Sequence, residues 1–223
     1  AINGLRRRAL EALAEARRER REMEAPPMPE DLCARKGKPA LTVSLTETGQ
    51  LTERLLSERP ARIYLPLEKL NELDTLPDGP EWCAILPRIW RDRDETELKS
   101  MLLRVKKQGV MSALAGNIGH LPLLRDSGLK VYGDYGLNLF NSRSLGFMRD
   151  KGLAGACVSY ELRFAQIRDL RKPLPIEAIV YGRLPLMITE NCIIKTGTGE
   201  CRGEKRNELW DRTGALFPML PAY

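Results

Sequence analysis

The chain has one histidine in 223 residues, so imidazole chemistry has a single candidate, His120. A Ser-His-Asp or Cys-His hydrolase would have to be built on it. The sequence contains no G-x-S-x-G, and an H-E-x-x-H zinc motif needs two histidines. His120 precedes Leu121-Pro122, which places it at an expected helix start. No apolar run approaches the ~20 residues that span a bilayer. The opening stretch AINGLRRRALEALAEARRERRE lacks the continuous apolar segment of a secretory signal. A cytoplasmic protein with no membrane partner is therefore expected. The first residue is Ala1, and the chain is expected to be a processed piece or fragment of something longer.

Cysteine is sparse. Five are present, an odd number without dense spacing, which argues against a disulfide framework and for a reducing compartment. Cys83 in WCAIL and Cys157 in GACVS read as buried strand residues. Cys192 and Cys201 are spaced C-x8-C with Gly197 and Gly199 between them. Two thiols are half of a closed zinc or iron–sulfur site, which takes about four ligands. Cys33 or Cys157 would have to join them, or a further segment would. Charge of one sign is also modest: the net charge is +6, enough to permit contact with nucleic acid or phosphate but not to require it.

The chain does contain a rhythm. Residues 2–23 carry a thin stripe of Leu5, Leu10, Leu13 and Met23 among many Arg and Glu, several three or four apart, as a charged exposed helix would. Pro26, Pro27 and Pro29 stop it. Beyond them, β-prone runs recur at 41–45, 62–66, 83–87, 110–115, 129–133, 155–159 and 177–182, with helix-like stretches between. The stretch 94–109 opens on acids and closes on Lys106, Lys107 and Gly109.

Seven β-then-α units with nearly all-apolar strands imply a parallel sheet covered on both faces. The expected fold is α/β, a (β/α) TIM-like barrel of seven or eight parallel strands with a small irregular C-terminal lobe. An open doubly wound sheet is the alternative. Neither G-x-G-x-x-G nor G-x-x-x-x-G-K-[ST] follows the first strand, which weakens its nucleotide-binding versions. The expected division is an exposed helix at 1–25, a linker at 26–40, the barrel at 41–186 and a cysteine-containing tail at 187–223. Within the tail, Asp211-Arg212-Thr213-Gly214 suggests a hairpin.

In a parallel barrel the loops after the strands share one face, and ligands bind there. Reading those positions gives a polar ring of Arg88, Asn117, Asp134, Asn138, Glu161 and Arg183, suited to a polar or anionic ligand. The same residue types also serve as helix caps and surface ion pairs. Asn141 or Ser142 can cap the helix that Gly152 ends.

The order of motifs carries a resemblance. INGLRRRALEALAEAR, YLPLE, ILPR, GNIGHL, YGDYGLNLFNSRSL, SYELRFAQIRDL, VYGRLPLMITENC and LWDRTGALFPML resemble, in sequence, the C-terminal part of long collagenase-like peptidases of family U32. The strings D-x-x-L-N-x-x-N-S at 134–142 and Y-G-x-x-P-L-M-x-T-x-x-C at 181–192 are the most specific. The resemblance implies a barrel related to the family's catalytic one. It also implies a parent enzyme labelled a peptidase or collagenase whose better-understood relatives carry out oxygen-independent hydroxylation, of RNA bases or of the ubiquinone ring, with an iron–sulfur cluster on cysteines. Asp134, Asn138, Glu161 and Arg183 fall in the matching motif positions, and Cys192 matches the first tail cysteine. Long-type relatives place further cysteines after it in a C-x6-C-x2-C manner, whereas here only Cys201 follows. Three expectations follow. The domain supports RNA modification alongside the N-terminal half of its parent polypeptide, or it cleaves collagen-like or other peptides, or it is a non-catalytic scaffold or interaction domain.

Overall fold

The structure, a computed structural model, describes residues 2–18, 24–25, 27–30, 38–200 and 207–220. It divides into two compact units, residues 1–179 and 180–223.

The first unit is a parallel seven-stranded sheet. Its strands run β1 (Thr42–Ser44), β2 (Arg62–Pro66), β3 (Glu81–Ile85), β4 (Ser112–Ala115), β5 (Lys130–Gly133), β6 (Gly155–Cys157) and β7 (Ile176–Glu177), adjacent in chain order. Every neighbouring pair is parallel, in registers such as Tyr64 with Cys83 and Tyr132 with Gly155. Parallel neighbours need crossovers. These are α2 (Glu53–Ser57), α3 (Leu67–Asn71), α4 (Glu95–Lys107), α5 (His120–Arg125), α6 (Ser142–Asp150) and α7 (Phe164–Asp169). Helix α1 (Ile2–Arg18) precedes the sheet and buries no residue. The expected linker at 26–40 is only partly described, and Cys33 lies outside the described residues. Pro29 packs on α6, where a Cβ built on Gly146 would lie 3.0 Å from the Pro29 Cβ.

Helix boundaries follow local chemistry. On α4, Leu98, Leu102 and Val105 recur on one face and are buried. Gly109, at φ +100°, supplies the left-handed residue that ends the run. Asn141 caps α6: its side chain accepts from the Ser144 N–H while Ser144 Oγ accepts from the Asn141 N–H.

The strands alternate faces. Ile63, Leu65, Trp82, Ala84, Ala113 and Ala115 point outward and pack against Leu67, Leu70, Leu98, Leu102, Val105 and Leu124 of the helices. A second outer cluster joins Ala156 and Val158 to Leu139, Leu145, Met148 and Leu174. The concave face is different. Tyr64, Cys83, Leu114 and Tyr132 form a small cluster there, flanked by charged groups.

The α/β expectation of seven parallel strands holds, and the TIM-like barrel is incomplete: among the described residues no ladder joins β7 to β1, so the sheet is a curled half-barrel. The last strand is short because only Ile176 and Glu177 pair with β6; residues 178–182, also read as strand, are not in the sheet. The third strand begins at Glu81 rather than Cys83, leaving Pro87 and Arg88 in the loop beyond it.

The second unit holds α8 (Ile193–Thr198) and an antiparallel hairpin of β8 (Asn207–Trp210) and β9 (Leu216–Met219). Asp211 makes the turn, accepting from the Thr213 and Ala215 N–H groups with Gly214 at φ +83°. Among the described residues no helix is long and apolar enough to cross a membrane.

Candidate functional site

The loops after β3, β4 and β5 meet at the carboxyl ends of the strands. Arg88 and Asp134 flank Gly116 there: a Cβ on Gly116 would lie 3.4 Å from Arg88 Cγ and 3.5 Å from Asp134 Oδ2. Gly136 closes the arrangement, since a Cβ on it would come within 2.6 Å of the Gly116 carbonyl and 3.0 Å of Arg88 Nη2. Two glycines thus let two loops close around one guanidinium, as close backbone approach demands. The Arg88 guanidinium lies 5.4 Å from the Tyr135 ring centroid. Tyr135 meets Tyr160 edge to face at 6.0 Å, and Tyr160 is 51% exposed. The rim therefore presents a cation, two aromatic rings and an acid.

The acid is perturbed. Burial pushes Asp134 up from its ordinary 3.8 to about 6, against the downward pull of the Tyr135 N–H and of Arg88; the charge of Glu177 adds to the rise. The Tyr135 N–H donates to the Asp134 carboxylate at 2.8 Å. An acid that titrates near neutrality beside a fixed cation can hold or release a proton at working pH.

Below this rim, on the same concave face, sits a cluster the sequence reading missed. Arg62 reaches Glu81 at 2.8 Å and Glu177 at 2.6 Å. It donates to Tyr64 Oη at 2.9 Å. Its guanidinium carbon lies 3.5 Å from the Tyr132 ring centroid. Burial alone would lower Arg62, but its bonds to Tyr64 and Glu81 outweigh that and hold it above the usual arginine range. Burial and the Glu177 charge push Tyr64 well up, so its hydroxyl stays a donor to Glu177 at 2.8 Å. Between rim and cluster, burial followed by the charges of Asp134 and Glu177 pushes the Cys157 thiol up to about 12. Burial raises Cys83 too. Neither thiol is poised as a nucleophile.

The structure brings Arg88, Asp134 and Asn117 together, the last through its Nδ2 to the Arg88 carbonyl at 3.3 Å. Asn138 does not join them: it is exposed and takes a left-handed turn at φ +51° after Leu137. Glu161 is exposed, its N–H directed at Ser159 Oγ at 3.4 Å. Arg183 belongs to the second unit and is exposed there. Cys192, also in the second unit, is exposed and caps α8 by accepting from the Lys195 N–H at 3.3 Å. Cys201 lies outside the described residues. No three His, Cys, Asp or Glu side chains converge as metal ligands among the described residues. With one described thiol in the tail, the residues on view do not make up an iron–sulfur site.

His120 is fully buried, and its Nε2–H donates to the Pro87 carbonyl at 3.0 Å. Burial lowers its pKa, which leaves Nδ1 unprotonated and without a partner. It props the loop that carries Arg88. The missed residues left one signal: the pairs Arg62-x-Tyr64 and Glu81-x-Cys83 alternate onto a single strand face.

The family model for peptidase family U32 matches residues 79–206, from the approach to β3 into the second unit. The chain belongs to peptidase family U32. No curated protein matches this U32 chain. Among solved structures it is similar to MenC from Desulfotalea psychrophila LSv54, at 12% identity and a TM-score of 0.38, over 64% of this chain and 46% of that one. It is also similar to the chitinase domain of the spore coat protein CotE from Clostridium difficile, at 9% identity and a TM-score of 0.42, over 89% of this chain and 81% of that one. The U32 chain thus spans under half of the MenC chain. At these TM-scores neither likeness bears on what the U32 domain does.

Proposed function

We propose that this half-barrel, a TIM-like barrel short of closure, is the C-terminal ligand-holding domain of a longer cytoplasmic U32 protein. It works with the N-terminal half of the same polypeptide, and its rim takes RNA in support of oxygen-independent hydroxylation. The observation that carries the reading is the rim: Arg88 beside the Tyr135 ring, Tyr135 edge-on to the exposed Tyr160. Proteins hold unpaired bases on aromatic faces and guanidinium planes, and hold the backbone with positive charge. The net charge of +6 supports the same reading. Asp134 would then exchange a hydrogen bond or a proton with a polar edge of the ring, and Arg88 would face a phosphate or a carbonyl oxygen. Peptide cleavage is the less supported reading, because the one histidine is buried and bonded to a backbone carbonyl.

Titration of the protein with structured RNA at about 50 and 200 mM salt tests the proposal. Binding should weaken steeply with salt. Tyr160→Ala should weaken it by about 1–3 kcal/mol, as loss of one stacked base does. Arg88→Ala should lower the salt slope by about one. An RNA that does not associate even at the lower salt sinks the reading.

A further inference from the structure

The backbone ladder is thinnest at the end of the sheet. Strand β5 pairs with β6 through Tyr132–Gly155 and Gly133–Ala156, with one isolated parallel bridge, Leu139–Val158, just beyond them, and β6 pairs with β7 through Ala156–Ile176 and Cys157–Glu177. No strand covers the far side of β7 among the described residues. Such an edge is expected to fray. Yet Glu177 on β7 meets Arg62 and Tyr64 on β2, five strands away, at 2.6 and 2.8 Å. In a flat sheet, strands about 4.8 Å apart would separate β2 from β7 by roughly 24 Å, beyond the joint reach of these side chains. The contact exists only while the sheet is curled. Glu81 of β3 and Tyr132 of β5 bind the same guanidinium, so four of the seven strands converge on Arg62.

We infer that Arg62 and Tyr64 form a latch on Glu177 that holds β7 over the concave face, doing by side chains what strand pairing does in a closed barrel, and that its release opens that face from the β7 side. The pairing is asymmetric. Arg62 keeps Glu81 when Glu177 is lost, so its charge stays compensated and the remainder of the sheet need not follow. Opening is thereby local to β7 and the segment that leads into it from α7. The ion pair is 14% exposed on the Arg62 side and 28% on the Glu177 side, so a charged competitor entering from solvent can reach the carboxylate. This inference does not depend on what the rim binds.

Native-state amide exchange on the 223-residue chain tests the latch in two variants that leave Arg62 in place, Tyr64→Phe and Glu177→Gln. Each should speed exchange at β6 and β7 by about tenfold or more while α4, β3 and β4 exchange as in the wild type, the pattern of a local opening. Exchange that rises evenly over all seven strands would show a general packing role and overturn the latch. So would unchanged exchange at β7 in both variants. Glu81→Gln serves as the contrast: it removes charge from the same arginine without touching β7 and should leave β7 protection intact.

Discussion

At the scale of single residues, Asp134 shows how position sets chemistry. Its place after β5 was readable, because residues following parallel strands gather on one face. Its burial was not, because that depends on how loops from β3 and β4 close over it. The consequence is a pH dependence with a definite sign. The folded pKa, about 6, stands above the ordinary 3.8, so the native state binds the proton more tightly than the unfolded chain. The stability this contributes is fully present below about 3.8 and is lost as pH rises through 6. Asp134→Asn keeps an acceptor for the Tyr135 N–H and removes the buried charge. It should be about 1–3 kcal/mol more stable than wild type at pH 7, with the advantage vanishing towards pH 4, as read by urea midpoints across that range. Gly136 gives a second residue-scale test. Gly136→Ala places a methyl 2.6 Å from the Gly116 carbonyl and 3.0 Å from Arg88 Nη2. It should cost about 1–3 kcal/mol and, in the same denaturation measurement, leave the concave cluster intact. Arg62 stayed illegible for another reason. A charge at the start of an apolar run reads as a solvated strand end, and only the partner strands show that Glu81 and Glu177 wait for it.

Among elements, what the sequence made readable was whatever local chemistry decides. The start of α6 was legible as a cap at Asn141 or Ser142, and the structure puts it on Asn141, paired with Ser144. Asn141→Ala should therefore destabilise the fold by about 1 kcal/mol; a thermal melt that shifts by less than the error of replicate scans would mean the cap is replaced by solvent. The end of α4 was equally legible in Lys106, Lys107 and Gly109. Strands were harder, because a strand needs a neighbour. Ala178 to Gly182 has the Ile, Val and Tyr of a strand, but β6 offers partners only to Ile176 and Glu177, and propensity without a partner does not make a ladder. The frame of β3 moved for the same reason. Glu81 pairs with Arg62 in register, so a residue that looked like loop became the first of the strand.

For the whole molecule, charge is distributed unevenly, and this separates two ways of holding a polyanion. Helix α1 carries five arginines against two glutamates, which is half of the chain's net +6. None of its residues is buried, so it adds charge without adding to the core. Removing residues 1–18 should accordingly move the denaturation midpoint by no more than about 0.5 kcal/mol, as expected of exposed positions. The effect on RNA binding is where the two readings part. Exposed arginines bind phosphates without regard to base and contribute to the salt slope, whereas a rim of Arg88, Tyr135 and Tyr160 draws on stacking that salt screens far less. If the rim is the site, the truncated chain should bind more weakly and with a shallower salt slope, yet lose as much affinity on Tyr160→Ala as the full chain does. If instead α1 does the binding, the truncated chain should show no measurable association at about 50 mM salt, and Tyr160→Ala in the full chain should change nothing. Comparing the substitution in both backgrounds by fluorescence anisotropy, at two salt concentrations, decides whether the proposed RNA contact is the basic helix or the open end of the half-barrel, and association in neither background overturns both readings.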